Sequence, residues 1–125
     1  MARVSVLITT CVHPTPLVLG VTDSTTAITV DFPGGAHRHG ESMAHAAARI
    51  LAASTGISIP EKNLDLFWAA KDHAVMTPSA SWQMPDRLIG RPFVGVASFF
   101  LPGDIVFWSA RSSETRSVLE RAGLL

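Results

Sequence analysis

The side chains with the clearest capacity for chemistry gather near position 40 of this 125-residue chain. His37, His39 and His45 bracket Glu41, and on a helix His45 would lie one turn beyond Glu41. Imidazoles together with a carboxylate can bind zinc or another transition metal, and an imidazole can transfer protons near neutral pH. This group is one candidate site, with Glu41 and His45 as candidate catalytic residues. The spacing matches no established zinc motif, so solvated loop histidines are the alternative interpretation.

A second pattern runs through the same segment and fixes the spacing of its glycines and charges. Six positions over 23 residues fit it without a gap: Gly35, Glu41, Arg49, Leu51, Gly56 and Ile57. The pattern resembles the Nudix box, G-x5-E-x7-R-E-U-x-E-E-x-G-U, where U is a bulky aliphatic residue. The sequences PGG at 33–35 and GES at 40–42 are also similar to the wording usual in that family. The resemblance implies an α+β fold, a Nudix-like α/β/α sandwich with a mixed β-sheet.

Three positions of the box lack the residues that do the family's chemistry. The resemblance implies glutamates that hold magnesium or manganese against the substrate's diphosphate, but this chain has Ile50, Ala53 and Ser54 in their places. A hard cation needs several oxygen ligands, and these three side chains offer one hydroxyl. We therefore expect no metal at the box helix, no cofactor, and no Mg-dependent diphosphate hydrolysis of the usual kind. Whether the chain is an enzyme stays open.

The retained box residues have a structural interpretation. The resemblance implies that Glu41 and Arg49 pair and steady a loop-helix unit, and Gly35 and Gly56 belong to the same framework. Residues eight apart on a helix lie about two turns along on a similar face, which is compatible with such a pair. A role for Glu41 as a metal ligand or a general base is the alternative.

The substitutions also make this part of the helix largely apolar. Ile50, Ala53 and Ser54 face the substrate if the resemblance holds, and they would then form a stripe that binds a different ligand. The alternative is that the stripe packs beneath an irregular loop predicted over 76–92, which would leave no site. These three residues are therefore candidate ligand contacts.

The predicted loop carries further candidates. Trp82 and Arg87 can line a pocket, because an aromatic ring and a guanidinium suit an anionic ligand that can stack. Asp86 and Arg91 add charge nearby, and a solubilising loop is the plain alternative. Elsewhere, the adjacent Asp72 and His73 could form an acid-base pair, but neighbouring strand residues point to opposite faces.

Three functions follow from these residues. The first is a Nudix-like protein that has lost metal-dependent hydrolysis and binds a small molecule, or does other chemistry, at the old site. The second is a working hydrolase of nucleoside-diphosphate-linked substrates. Its relocated ligands would come from Glu41, His37, His39 and His45, with Asp86 or Asp104. The third is a structural or partner-binding domain with a filled pocket.

Composition restricts the class of partner. Ten basic and ten acidic residues cancel, so the chain lacks the positive charge that nucleic-acid binding needs. No apolar run is long enough to span a bilayer, and the first residues show no signal-peptide layout. A single cysteine, Cys11, excludes an internal disulfide and fits a cytoplasmic location. A length of 125 residues predicts one domain over 1–125. Charged residues make up only 16% of the chain, which indicates more apolar surface than a monomer needs, so a homodimer is expected.

Apolar periodicity and turn residues predict the elements that position these side chains. The predicted strands cover 4–10, 17–22, 26–32, 64–75, 93–101 and 105–109, and the predicted helices cover 41–55 and 112–122. Ser112 is expected to cap the last helix and Gly123 to end it. Trp68 and Trp108 are expected to be core residues of strands.

Overall fold

The structure is a computed structural model that describes residues 2–10, 16–23, 28–80, 82 and 97–125. Strands and helices occur in separate groups along the chain, which is an α+β order. Along the described chain they are β1 (Arg3–Val6), β2 (Thr9–Thr10), β3 (Leu17–Asp23), β4 (Thr29–Asp31), β5 (Gly34–Ala36), α1 (Met43–Thr55), a 3-10 helix (Glu61–Asn63), β6 (Leu64–Ala69), β7 (His73–Pro78), β8 (Ala97–Phe100), α2 (Pro102–Trp108) and α3 (Ser112–Arg121).

The strands form two sheets. The first is mixed and has the order β5-β1-β7-β6, with β1 and β7 parallel and the other two pairs antiparallel. In the second sheet, β3 pairs antiparallel with β2, β4 and β8. The sequence 4–10, predicted as one strand, divides after Val6, so that β1 and β2 belong to different sheets.

Helices cover both sides of these sheets. Strand residues alternate between the two sides, so Val6 and Met76 pack in the cluster that contains α1, whereas Leu7 and Val75 pack in the cluster that contains α2 and α3. Helix α1 contacts the first sheet, and α2 contacts both α3 and the second sheet. This is the α/β/α arrangement that the sequence predicts.

Local signals define helix α1. Ser42 precedes it in an extended conformation, and its Oγ accepts a hydrogen bond from the backbone N–H of His45 at 3.0 Å. Gly56 ends the helix with a φ of 76°, a left-handed value that glycine adopts without steric cost. Glu41 therefore precedes the helix and lies in the loop that joins it to β5.

Two predicted strands are wrong. The segment 64–75 is a hairpin, because the chain turns between Ala69 and His73 and pairs β6 antiparallel with β7. The segment 105–109 is helical and belongs to α2. Pro102 at its start has the fixed φ that suits the first turn of a helix.

The structure also corrects three smaller predictions. Trp108 lies on α2 with 45% of its surface exposed and is not a core strand residue. Ser112 does not cap α3, because its hydroxyl donates to the carbonyls of Val106 and Ser109. Met76 to Pro78, placed in the irregular loop, complete β7, and the rest of that loop beyond Trp82 lies outside the described residues.

Candidate functional site

Glu41 and Arg49 form a bidentate ion pair at the start of the box. Arg49 donates from Nε to Glu41 Oε2 at 2.8 Å and from Nη2 to Glu41 Oε1 at 2.9 Å, and Nη2 also donates to the carbonyl of Ala36 at 2.9 Å. The Glu41 side chain is only 7% exposed. The Arg49 hydrogen bonds hold the pKa of Glu41 down at about 2, against an opposing effect of burial. An anion fixed in this way braces the loop against the helix and is a poor proton acceptor at neutral pH.

The three box positions without glutamate lie on one side of α1 but in different surroundings. Ile50 is 4% exposed and packs in the core, where a β-carbon added to Gly35 would lie 3.4 Å from Ile50 Cγ1. Ala53 is exposed. Ser54 is partly exposed and lines a cavity. The side of α1 that the resemblance assigns to the substrate is therefore divided between core, solvent and cavity.

The cavity beside Ser54, called the Ser54 cavity below, has a volume of about 350 Å³. It lies between α1, the β4–β5 region and the α2–α3 connection. Its polar lining includes Arg3, Asp31, Ser54 and Arg111, and Gly34 forms part of the wall. Two guanidinium groups and two carboxylates, those of Asp23 and Asp31, thus surround a space large enough for a small ligand.

The charges around the Ser54 cavity differ in how firmly they are held. Asp31 accepts a hydrogen bond from Ser109 Oγ at 2.5 Å, which ties β4 to the residues between α2 and α3. Among the described residues, neither Arg3 nor Arg111 forms an ion pair within 4.0 Å. Burial lowers the pKa of Arg3 and the charge of Arg111 lowers it further, whereas Asp31 and Glu114 act in the opposite direction. Both cations are therefore available to a ligand.

The predicted histidine group does not converge on one metal-binding point, although His39, Glu41 and His45 line one cavity of about 570 Å³. His37 Nε2 hydrogen-bonds the backbone carbonyl of Glu41 at 2.5 Å, whereas His45 Nδ1 hydrogen-bonds Glu61 and its Nε2 lies 3.6 Å from Glu41 Oε2. His39 is exposed. Within the part of the chain that the structure describes, no three His, Cys, Asp or Glu side chains are grouped to hold a metal ion.

The remaining candidates lie apart from the Ser54 cavity. Trp82 is partly buried against the α1 core cluster and lines a separate, smaller cavity next to Thr9 and Thr77. Asp104 is exposed in the first turn of α2. Four predicted residues fall outside the described residues: Cys11, Asp86, Arg87 and Arg91.

Sequence reasoning missed a buried polar chain on the side of the first sheet opposite α1. Ser5 Oγ lies 2.7 Å from His73 Nε2, and His73 Nδ1 lies 2.5 Å from Glu114 Oε2. Asp72, which the strand geometry already placed on the opposite face from His73, is exposed and takes no part in this chain. The period of two within β1 places Arg3 and Ser5 on one face, but only the pairing of β1 with β7 brings His73 to them.

Comparison with known proteins gives one kind of match. No protein-family model and no curated protein matches the chain. Among solved structures, the chain is similar to an Ap4A hydrolase of C. elegans, with a TM-score of 0.66 and 16% identity over 97% of this chain and 94% of that one. It is also similar to the NUDIX domain of Shewanella oneidensis NrtR complexed with ADP ribose, with a TM-score of 0.64 and 18% identity over 96% and 84% of the two chains.

A third similar structure is longer. A MutT/nudix family protein from Enterococcus faecalis matches with a TM-score of 0.58 and 14% identity over 78% of this chain, which spans 42% of that protein. Among the described residues, no helix is both long and apolar enough to cross a membrane. The order of elements, the box spacing and these structural matches agree, and the chain has the fold of the Nudix superfamily.

Proposed function

We propose that this Nudix-fold chain binds a small anionic molecule in the Ser54 cavity without a divalent metal, and that it does not carry out Mg-dependent diphosphate hydrolysis. The observation that carries the proposal is the position of Ile50, which fills core space against Gly35 where the resemblance implies a metal-binding carboxylate. Ala53 faces solvent and Ser54 supplies only a hydroxyl. The box helix thus offers a hard cation no carboxylate.

Two guanidinium groups, which lie beside the carboxylates of Asp23 and Asp31, support an anionic ligand in the Ser54 cavity. In the metal-dependent reaction that the resemblance implies, a bound cation neutralises the diphosphate. In this chain, Arg3 and Arg111 can do so directly, because a guanidinium donates paired hydrogen bonds to phosphate or carboxylate oxygens. Arg3 Nε is buried without a hydrogen-bond partner among the described residues, and a bound anion would supply one.

A nucleotide-like anion is the first ligand to test. The similar domain of S. oneidensis NrtR was solved with ADP ribose, which combines a diphosphate with flat and polar groups. We therefore expect ADP-ribose, or a smaller anion that shares its diphosphate, to bind this chain in the presence of EDTA. Native mass spectrometry of freshly purified protein should also reveal a co-purified ligand.

Isothermal titration with ADP-ribose, with and without MgCl2, tests the proposal. Arg111→Ala should weaken binding about tenfold or more, because a charge-assisted hydrogen bond contributes roughly 1.5–3 kcal/mol. Arg116→Ala is the matched control, since this exposed arginine of α3 lines a different surface region. Binding that requires magnesium and disappears on Glu41→Gln would refute the proposal and favour a metal-dependent hydrolase.

The hydrolase with relocated ligands has less support. Glu41 already gives both carboxylate oxygens to Arg49, and His37 and His45 are engaged with different partners. A purely structural role is countered by the open Ser54 cavity.

We further propose that the chain is a cytoplasmic homodimer and binds no nucleic acid, as its neutral, weakly charged composition predicts.

A further inference from the structure

Three side chains from distant parts of the sequence form one continuous hydrogen-bonded chain. Ser5 comes from β1, His73 from β7 and Glu114 from α3. Ser5 and His73 are 2% and 6% exposed, and the Glu114 side chain is 36% exposed. A buried imidazole with a hydroxyl on one nitrogen and a carboxylate on the other is held in one orientation and one tautomer.

Along these hydrogen bonds, the hydroxyl, the imidazole and the carboxylate follow one another in the order that activates a hydroxyl. In the neutral imidazole, the nitrogen that faces the Glu114 carboxylate carries the proton, so Nε2 is the nitrogen that can accept the proton of Ser5 Oγ. The 2.7 Å between Ser5 Oγ and His73 Nε2 is within reach for proton transfer from a nucleophile to its base, and the shorter contact of His73 with Glu114 orients that base. Trp68 packs its ring edge-to-face with His73 at 5.8 Å and limits rotation of the imidazole.

The hydroxyl of Ser5 lies next to the wall of the Ser54 cavity. A β-carbon added to Gly34 would lie 2.5 Å from Ser5 Oγ and 2.7 Å from Arg3 Nη2, so glycine is required for this close approach. Gly34 and Arg3 both line the cavity, whereas Ser5 does not. The Arg3 guanidinium, which lies close to this hydroxyl and borders the cavity, is therefore the group that can cover it on the cavity side.

Arg3 is poorly stabilised as a cover. Its Nε is buried without a hydrogen-bond partner among the described residues, and an unsatisfied charged donor is costly to keep out of water. Movement of the guanidinium towards an anion in the cavity would satisfy this donor. For a ligand in the cavity to reach Ser5 Oγ, the same movement has to open the path.

We propose that Ser5 is a nucleophile, activated by His73 and oriented through Glu114, which takes an acyl group from a carboxylic ester bound in the Ser54 cavity. This inference rests on the proposed ligand site. Ser5 Oγ bonds to the carbonyl carbon while its proton moves to His73 Nε2. The ester C–O bond then breaks, and the departing alkoxide takes that proton and leaves as an alcohol. Water attacks the acyl-serine, passes a proton through Nε2 to Ser5 Oγ, and releases the carboxylic acid.

A small alkyl fluorophosphonate is the direct probe, because an activated serine displaces its fluoride and keeps the phosphonyl group. Intact mass and peptide mapping should find one adduct, on Ser5. Ser5→Ala should abolish it, and Ser117→Ala, which removes an exposed serine of α3, should leave it unchanged. Arg3→Ala should accelerate labelling about tenfold, because the cover is gone.

Variants of the other two residues separate activation from folding. His73→Gln should slow labelling about 100-fold, the low end of what a general base contributes. Glu114 is a positioning residue, so Glu114→Gln should slow labelling and Glu114→Asp should restore part of the rate, with no change in circular dichroism. A merely structural Glu114 would alter the melting temperature without this pattern.

The access of a small reagent to position 5 is measured independently by alkylation of the Ser5→Cys variant with iodoacetamide. Peptide mapping distinguishes the introduced thiol from Cys11. Alkylation of that thiol, faster in the Arg3→Ala background, is the expected result. The proposal is overturned if folded wild-type and Arg3→Ala proteins give no phosphonyl adduct on Ser5, or if the thiol is not alkylated in either background. Binding of ADP-ribose is measured separately. A protein that binds ADP-ribose but forms no adduct on Ser5 contradicts only the assignment of Ser5 as a nucleophile.

Discussion

Restoring the three glutamates of the box should create a metal site and destabilise the metal-free protein. In the variant Ile50→Glu/Ala53→Glu/Ser54→Glu, the main cost comes from Ile50, because only this residue of the three is fully buried. Burying an isoleucine contributes roughly 1.5–3 kcal/mol, and an unsatisfied polar group in its place costs a further 1–3 kcal/mol or so. The metal-free variant should therefore lose on the order of 3–6 kcal/mol of its free energy of unfolding.

Magnesium should recover part of this loss. A ligand at 100 times its dissociation constant stabilises the folded state by about 2.7 kcal/mol, which corresponds to a rise in melting temperature of roughly 10 °C for a chain of this size. Thermal melts followed by circular dichroism, with EDTA and with increasing MgCl2, measure both effects. Ala52→Glu is the matched control, since Ala52 is exposed on the same helix and its variant should not respond to magnesium.

The response of the triple variant to MgCl2 can refute this reasoning. If the melting temperature of the triple variant does not change with MgCl2, these helix positions do not converge on a Nudix-like site. The single variant Ile50→Glu should retain most of the destabilisation and show little response to magnesium. If it is as stable as wild type, the core position assigned to Ile50 is wrong.

Three further predictions concern stability and assembly. Arg49→Ala should lower the melting temperature at neutral pH by several degrees, whereas Arg38→Ala, which leaves the backbone donor to Glu41 in place, should not. The folded-state pKa of Glu41, about 2, is below its ordinary value of 4.5, so the pair stabilises the fold above pH 4.5 and this contribution is lost as the pH falls towards 2. The difference between wild type and Arg49→Ala in melts should shrink over that interval, and a constant difference would contradict the pairing. Light scattering should give about twice 13.3 kDa, and Phe107→Glu, a change at a residue 76% exposed, should halve that mass without unfolding; a 13.3 kDa wild type rejects the dimer.

The features that could be predicted from the sequence depend on local signals. Ser42 and Gly56 mark the ends of α1 with a hydroxyl cap and a left-handed glycine, and both act within one turn of the helix. The 64–75 hairpin was missed because no glycine or proline marks its turn. In α2, the apolar run from Ile105 suits a strand or a helix equally, and its burial against the second sheet favours the helix.

The candidate site likewise combines features that can be predicted from the sequence with contacts that depend on the fold. The resemblance implies the pairing of Glu41 with Arg49, and the structure forms it through two hydrogen bonds. The contact of Ser5 with His73 depends on strand pairing between residues 68 positions apart, so no local pattern indicates it. Likewise, Ile50 packs in the core beside Gly35, a contact that periodicity does not contain.

The parallel pairing of β1 with β7 also has a consequence for how the chain is made. Strand β1 leaves the ribosome before its neighbour β7, and at 5–20 residues per second the intervening chain takes roughly 4–14 s to synthesise. During that time Val4 and Val6, fully buried in the finished fold, have no β7 to pair with. The hairpin of β6 and β7 needs only near neighbours and can form as soon as it emerges. Completion of the first sheet is therefore a late, non-local step of folding, which waits until β7 has been synthesised.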